Sequence, residues 1–102
     1  MTTMDYIEVD WIHENLEDPI RLVSELNFER FEQRKLEFFR DGHVGYAQAD
    51  RLNENPVLSR TALGTEPVPT IDAINADPQF HARQISASEF KTLWLRHARG
   101  KA

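Results

Sequence analysis

The stretch RKLEFFRDGHVGYA, residues 34–47, constrains the fold most, because its hydrophobic pattern is compatible with very few turns. Side chains alternate between the two faces of a strand, so Leu36 and Phe38 share a face before the turn. Val44 and Tyr46 share a face after it in the same way. All four reach one core only when Phe38 lies opposite Val44, and this register is the first prediction.

The turn between these two segments contains Asp-Gly, a strong hairpin signal. The predicted register requires a loop of three residues, Arg40-Asp41-Gly42, in which Gly42 takes the left-handed conformation. A loop of two residues would instead place Phe39 opposite Val44 and would break the shared face. We therefore predict a three-residue hairpin loop with a positive φ at Gly42, rather than a catalytic loop.

Alternation also predicts a strand near the N-terminus, over YIEVDWIH. Ile7, Val9 and Trp11 fall on one side of this strand. Glu8 and Asp10 fall on the other, so carboxylates and large apolar side chains occupy opposite faces of one element.

The segment from residue 19 to residue 39 is compatible with two structures. One is a long amphipathic helix with Asp18 as its N-cap and Pro19 in its first turn. The other is a pair of strands, because IRLVSEL and RKLEFF both alternate and Asn27 offers a break between them. The alternation favours the pair of strands.

The C-terminal third predicts two helices and a strand. TIDAINADP is typical of a short helix capped by Thr70, and QFHARQI is typical of a strand. Ser86 and Glu89 then form an S-x-x-E capping box at the start of a second helix. Phe90, Leu93 and Trp94 form an apolar stripe on one face of that helix, and His97 ends the stripe.

Together these elements predict an α+β fold. We expect an antiparallel sheet of about four to five strands, with the C-terminal helix packed on one face and one short helix before it. A chain of 102 residues has room for one modest core, so residues 1–102 are predicted to form a single domain.

Composition excludes or disfavours several kinds of site. The chain has no cysteine, so it has no disulfide, thiolate metal site or cysteine nucleophile. Its 4 histidines are never three or four residues apart, so no helical metal pair exists. No apolar run approaches the roughly 18 residues of a membrane span, and no secretory signal is visible. We expect a cytoplasmic protein without metal, cofactor or catalytic residue.

The charge distribution points to a protein partner. The formal net charge of -5 argues against nucleic acid as a ligand. Residues 1–20 contain acids but neither Lys nor Arg, whereas the charged residues among 83–102 are five bases and one acid. This asymmetry predicts that the N-terminal part steers a basic partner.

The alternation of side chains between the two faces of a strand divides the aromatic residues into two sets. One set fits a core that joins the sheet to the helix: Trp11, Phe38, Tyr46 and Trp94. Tyr6 and Phe39 fall on the opposite face, where exposed aromatics beside charge favour a contact surface. The predicted partner-binding residues combine these two with the N-terminal acids: Tyr6, Glu8, Asp10, Glu14, Glu17, Asp18 and Phe39.

Four motifs follow one another along the chain: a strand ending in W-I-H, then S-E-L, then R-K-x-E-x-F-R-D-G-x-x-G-Y-A, and a final I-S-x-x-E-F. In this order they resemble a family of small bacterial proteins catalogued only as a domain of unknown function. The resemblance covers nearly the whole chain and is weakest over residues 48–62, which suggests a variable loop. It implies strands over residues 20–39, and it assigns no catalytic residue.

Small, acidic, cysteine-free bacterial proteins of this kind are often immunity partners of polymorphic toxins, an analogy of size and charge. The leading hypothesis is a non-catalytic inhibitor whose acidic surface neutralises a basic toxin domain, such as that of a nuclease. A second hypothesis is a small enzyme or ligand-binding domain with a pocket between sheet and helix, near Arg34, Tyr46 and His97. A third is a nucleic-acid-associated adaptor that uses the basic C-terminal tail.

Overall fold

A computed structural model describes residues 4–49 and 62–98, which form a five-stranded antiparallel sheet with two helices. The elements are β1 (Asp5–Trp11), β2 (Arg21–Leu26), β3 (Glu32–Phe38), β4 (Val44–Gln48), α1 (Ile71–Asn75), β5 (Phe80–Ile85) and α2 (Ala87–His97). The strands lie in the order β4-β3-β2-β1-β5. The predicted α+β class, with a short helix before the C-terminal one, is confirmed. Most of the predicted variable loop lies outside the described residues.

Residues 19–39 form the two strands β2 and β3 and not a helix. Asn27 fixes the turn between them, because its side-chain oxygen accepts hydrogen bonds from the backbone N–H groups of Glu29 and Phe31, both at 3.0 Å. Arg30 follows with a φ of 72°, in the left-handed region. An asparagine that bonds the backbone of its own turn competes with a helix, and here the turn prevails.

The hairpin of β3 and β4 has the predicted register, with Phe38 opposite Val44 and Leu36 opposite Tyr46. The loop is the predicted one of three residues, and Gly42 has a φ of 99°. A Cβ at Gly42 would meet nothing within 4 Å, so the backbone conformation, and not crowding, requires glycine there. The first prediction is confirmed.

Helix α2 begins at the predicted capping box and packs on one face of the sheet, which we call the α2 face. The Ser86 hydroxyl accepts from the Glu89 N–H, and the Glu89 carboxylate accepts from the Ser86 N–H, both at 3.0 Å. Phe90 and Trp94 are buried on the predicted apolar side of the helix. They join strand residues in one core cluster: Val23, Leu36, Ile85, Phe90 and Trp94.

The opposite face of the sheet, the α1 face, has a core of its own. Its buried members are Ile7, Val9, Leu26 and Ala82, covered by Val68, Ile71, Ile74 and Phe80. Trp11 lies here, with its ring centroid 5.8 Å from that of Phe80. The prediction that Trp11 joins the core under the C-terminal helix is therefore wrong. Both faces of β1 are covered, so alternation alone does not tell which face meets α2.

A side chain caps the outer edge of β5. Asn75 lies at the end of α1. Its Oδ1 accepts a hydrogen bond from the Ala82 N–H at 2.6 Å, and its Nδ2 donates one to the Ala82 carbonyl at 2.9 Å. These are the two bonds that a neighbouring antiparallel strand would make to Ala82. At the start of β5, the Phe80 N–H donates a hydrogen bond to the Asp77 carbonyl at 3.0 Å.

Candidate functional site

The loop between β1 and β2 and the turn between β3 and β4 meet at one end of the sheet. The Arg40 guanidinium donates to the His13 carbonyl at 2.7 Å, and the Ile20 N–H donates to the Phe38 carbonyl at 2.8 Å. The strand order places β2 and β3 side by side, so their connections to β1 and β4 emerge at the same end. We call this surface, residues 10–20 and 39–43, the acidic tip.

Side-chain hydrogen bonds order the longer loop of the acidic tip. His13 Nε2 lies 2.8 Å from the Pro19 carbonyl, and its Nδ1 lies 3.0 Å from the Asn15 N–H. The Asn15 side chain in turn accepts the Glu17 N–H at 2.8 Å. The His13 ring also contacts Trp11 of β1, with centroids 4.4 Å apart. These bonds give the loop a defined shape without any partner.

Two aliphatic side chains of the acidic tip are turned to solvent. Ile12 is 60% exposed and Leu16 is 76% exposed. In the sequence they are flanked by four acids, Asp10, Glu14, Glu17 and Asp18, none of which forms an ion pair with any residue in 4–49 or 62–98. Exposed aliphatic residues that alternate with unpaired acids along a loop are typical of a protein-binding surface.

The structure places five of the seven predicted partner-binding residues at this tip: Asp10, Glu14, Glu17, Asp18 and Phe39. The Phe39 ring stacks on the His43 imidazole with centroids 4.3 Å apart and planes 8° apart. His43 Nδ1 contacts the Asp41 carboxylate at 2.6 Å. Backbone and side-chain hydrogen bonds from His43 hold the pKa of Asp41 below its ordinary value.

Glu8 lies apart from the tip, in the middle of the α2 face. It is 8% exposed and accepts hydrogen bonds from the guanidinium groups of Arg21 and Arg83, the latter at 2.6 Å. Arg83 lies directly across the sheet from Glu8 in β5, and this partner is 75 residues distant in sequence. The carboxylate is thus paired inside the protein.

Tyr6 is likewise on the α2 face, and the prediction that parity turns it away from the helix is wrong. Its ring lies 5.2 Å from that of Phe90, and its hydroxyl donates to Glu25 at 3.1 Å. Burial, followed by the nearby Glu25 carboxylate, raises the pKa of Tyr6. Tyr6 shares its face with Glu8 and Asp10, so the polar side of β1 is the side that meets α2.

The three residues of the predicted pocket between sheet and helix are packed together with aromatic rings. The Arg34 guanidinium lies 4.9 Å from the centre of the Phe90 ring and 5.0 Å from that of Trp94. Tyr46 meets Trp94 edge-on at 5.9 Å, and His97 meets Phe38 edge-on at 5.1 Å.

An open cavity of about 330 Å³ lies at the end of the sheet opposite the acidic tip. Its lining includes Met4, Glu25, Gln33, Arg34, Gln48 and Ala49. Arg34 is bound side-on to Glu25, with nitrogen-to-oxygen distances of 2.7 and 2.9 Å. Of the three residues predicted to form a pocket, Arg34 alone is among these lining residues; Tyr46 and His97 are not.

The described part of the chain contains no group of three or more His, Asp or Glu side chains arranged to hold a metal ion. None of its helices is both long and apolar enough to cross a membrane.

Sequence reasoning missed Ile12 and Leu16, the exposed apolar residues of the tip. Both lie in the sequence DWIHENLEDP, where they are four residues apart and the residues between and after them are mostly acidic or polar. Large aliphatic residues in an otherwise charged connection between strands are the signal that could have identified them.

A family model described as Domain of unknown function (DUF6881) matches residues 5–99. Searches of curated proteins and of solved structures returned no match.

Proposed function

The chain belongs to the DUF6881 family, a domain of unknown function, and from that premise we propose that it is a non-catalytic protein-binding domain. Its function is that of an immunity-type inhibitor, which binds a basic toxin domain of bacterial origin through the acidic tip. The observation that carries the proposal is the pair of exposed aliphatic residues, Ile12 and Leu16, on an acidic loop that side-chain hydrogen bonds order.

The apolar residues supply the affinity in this proposal. Interface energy concentrates in a few side chains near the centre of the contact, where they are fully desolvated. Leu16 and Ile12 are largely exposed, so each has apolar surface to lose on binding. Because the loop is ordered in the free protein, little conformational entropy is lost when a partner covers it.

The carboxylates supply partner choice and speed. Asp10, Glu14, Glu17 and Asp18 form no ion pair within the described residues, so their charge is available to Lys and Arg side chains of a partner. Complementary charge raises association rates and suppresses wrong partners more than it raises affinity. A toxin domain that binds nucleic acid carries a basic surface of this kind.

The proposal is tested by capturing partners from native cells with two matched variants. One carries Glu14→Lys, Glu17→Lys and Asp18→Lys; the control carries Glu29→Lys, Glu66→Lys and Asp72→Lys, three acids away from the tip. Both change the net charge by the same amount. We expect the control and the wild type to capture a common basic protein that the tip variant loses.

A second arm uses growth as its readout. Co-expression of the wild-type chain with the captured protein should rescue growth, and a Leu16→Asp variant should not. Equal capture by the tip variant and the control, or a captured protein without toxicity, contradicts the proposal.

The other two hypotheses remain predictions. For a small enzyme or ligand-binding domain the candidate site in the described part of the chain is the cavity beside Glu25 and Arg34; Tyr46 and His97 are packed against aromatic rings. The nucleic-acid adaptor depends in part on Arg99 and Lys101, which lie outside the described residues.

A further inference from the structure

We propose that His13 is a pH-sensitive latch of the acidic tip. The neutral ring holds the loop in the shape described above, and protonation breaks one of its hydrogen bonds and changes the position of Leu16. The consequence for partner binding rests on the proposed function above. The latch itself is a property of the free protein.

The hydrogen bonds of His13 define its protonation state. The Asn15 N–H can only donate, so His13 Nδ1, 3.0 Å away, has to be an acceptor with a free lone pair. The Pro19 carbonyl can only accept, so Nε2, 2.8 Å away, has to carry the proton. A neutral imidazole has one donor and one acceptor, and both are engaged across the loop.

Protonation removes the acceptor. A second proton on Nδ1 turns that atom into a donor, which then faces the N–H of Asn15. Asn15 has to move away to find another acceptor. Its side chain also accepts the Glu17 N–H at 2.8 Å, so the second hydrogen bond of the loop is disturbed as well. Leu16 lies between these two residues and changes position with them.

Two elements bring charged residues near His13. On its own loop the acids closest in sequence are Glu14, Glu17 and Asp18. The β3–β4 turn contributes Arg40, whose guanidinium donates to the His13 carbonyl. From β1 the ring meets Trp11, which carries no charge. Histidine is the residue type that ordinarily changes its charge between about pH 5 and pH 8.

His43, in the same tip, provides an internal comparison. Its Nδ1 contacts the Asp41 carboxylate at 2.6 Å, a contact that protonation strengthens. Its ring stacks on Phe39, and that contact is compatible with a cation. Acidification is therefore expected to loosen the loop of His13 while it preserves the turn of His43.

The test uses nuclear magnetic resonance of the free wild-type protein and of a His13→Asn variant. At pH 8 the wild-type His13 Nδ1 should show the chemical shift of an unprotonated nitrogen. Between pH 8 and pH 5 the protection of the Asn15 amide against hydrogen exchange should fall by about tenfold, as expected for one lost hydrogen bond. The His43 amide serves as the reference and should keep its protection.

The asparagine variant retains an acceptor that can reach the Asn15 N–H but does not titrate. Its Asn15 amide should be equally protected at both pH values. A protonated Nδ1 at pH 8, or an Asn15 protection that is the same at pH 8 and pH 5 in the wild type, would overturn the latch. Because no partner is present, these outcomes leave the capture experiment of the proposed function independent.

Discussion

Two sets of carboxylates, close together in the sequence, have opposite environments in the protein. Glu8 and Glu25 lie under or beside helix α2, almost fully buried and bound to arginines. Glu14 and Glu17 lie at the acidic tip, exposed and without an ion pair in the described chain. Glu8 and Glu14 are six residues apart, yet one supports the fold and the other is available to a partner.

The comparison shows that acids close together in the sequence do not all belong to the same surface. A carboxylate inside the sheet needs charged or hydrogen-bonding partners, because desolvation of an unpaired charge is costly. Glu25 meets this need with Arg34 and with the Tyr6 hydroxyl. The acids of the tip remain hydrated and have no such need. The predictions below test this division, from the largest expected effect to the smallest.

Replacement of Glu8 should affect stability far more than replacement of Glu14. Glu8→Gln removes the buried anion that binds both Arg21 and Arg83, so we expect a loss of about 2 kcal/mol in the free energy of unfolding. Glu14→Gln should change it by less than about 0.5 kcal/mol. Urea unfolding followed by circular dichroism measures both. Similar losses for the two variants would erase the distinction.

The buried pair of Glu25 and Arg34 should show a larger coupling energy than an exposed pair. A double-mutant cycle with Glu25→Gln and Arg34→Met should give about 1–2 kcal/mol. The matched cycle on Arg83 and Glu89, whose charged atoms are 4.0 Å apart and whose side chains are more than half exposed, should give about 0.3 kcal/mol. An equal coupling in both cycles contradicts the comparison.

Charge reversal at the tip should stabilise the free protein slightly. Glu14→Lys and Glu17→Lys together relieve repulsion among unpaired carboxylates, with an expected gain of about 0.3 kcal/mol at low salt. The gain should vanish in 1 M salt, where screening is nearly complete. Thermal unfolding at the two salt concentrations measures it, with Glu66→Lys as the control. A loss of stability would mean that these acids support the loop.

The difference between buried and exposed groups should also appear in the histidines, as a small dependence of the stability on pH. Burial, with help from Arg96 and Arg21, lowers the pKa of His97 below its ordinary value of 6.5. The unfolded chain therefore takes up a proton at a higher pH than the folded chain does. His97 contributes stability above about pH 6.5, and this contribution is lost as the pH falls through the folded pKa. Unfolding experiments from pH 7.5 to pH 5 should show a smaller slope in His97→Phe than in the wild type.

Much of the fold could be predicted because its determinants are local. The odd loop at residues 40–42 follows from parity and one Asp-Gly pair, and the start of α2 follows from Ser86 and Glu89. Each signal lies within a few residues of the structure that it determines.

The positions of Tyr6 and Trp11 could not be predicted in the same way. Their faces depend on which layer covers which side of β1, and two separate cores cover both sides. Glu8 presents the same problem, since one of its two arginines enters the sheet only with β5. Pairings between strands distant in the chain are not encoded in any short window.

The negative charge of the candidate site could be predicted from the sequence, but its exposed apolar residues could not. Four tip acids were visible as a run without Lys or Arg. The exposure of Ile12 and Leu16 depends on the path of the loop, which His13, Asn15 and Pro19 determine through side-chain bonds. Bonds of this kind have weak signatures in sequence.

The amide of Asn75 has a consequence for assembly. Edge strands are templates on which other chains can add a strand, whether in a complex or in an aggregate. At Ala82 that template is already occupied, because Asn75 holds both the donor and the acceptor of the backbone. Another chain therefore cannot pair with β5 at Ala82 without first displacing the Asn75 side chain. A single carboxamide thus interrupts the row of backbone groups on which an added strand would have to form.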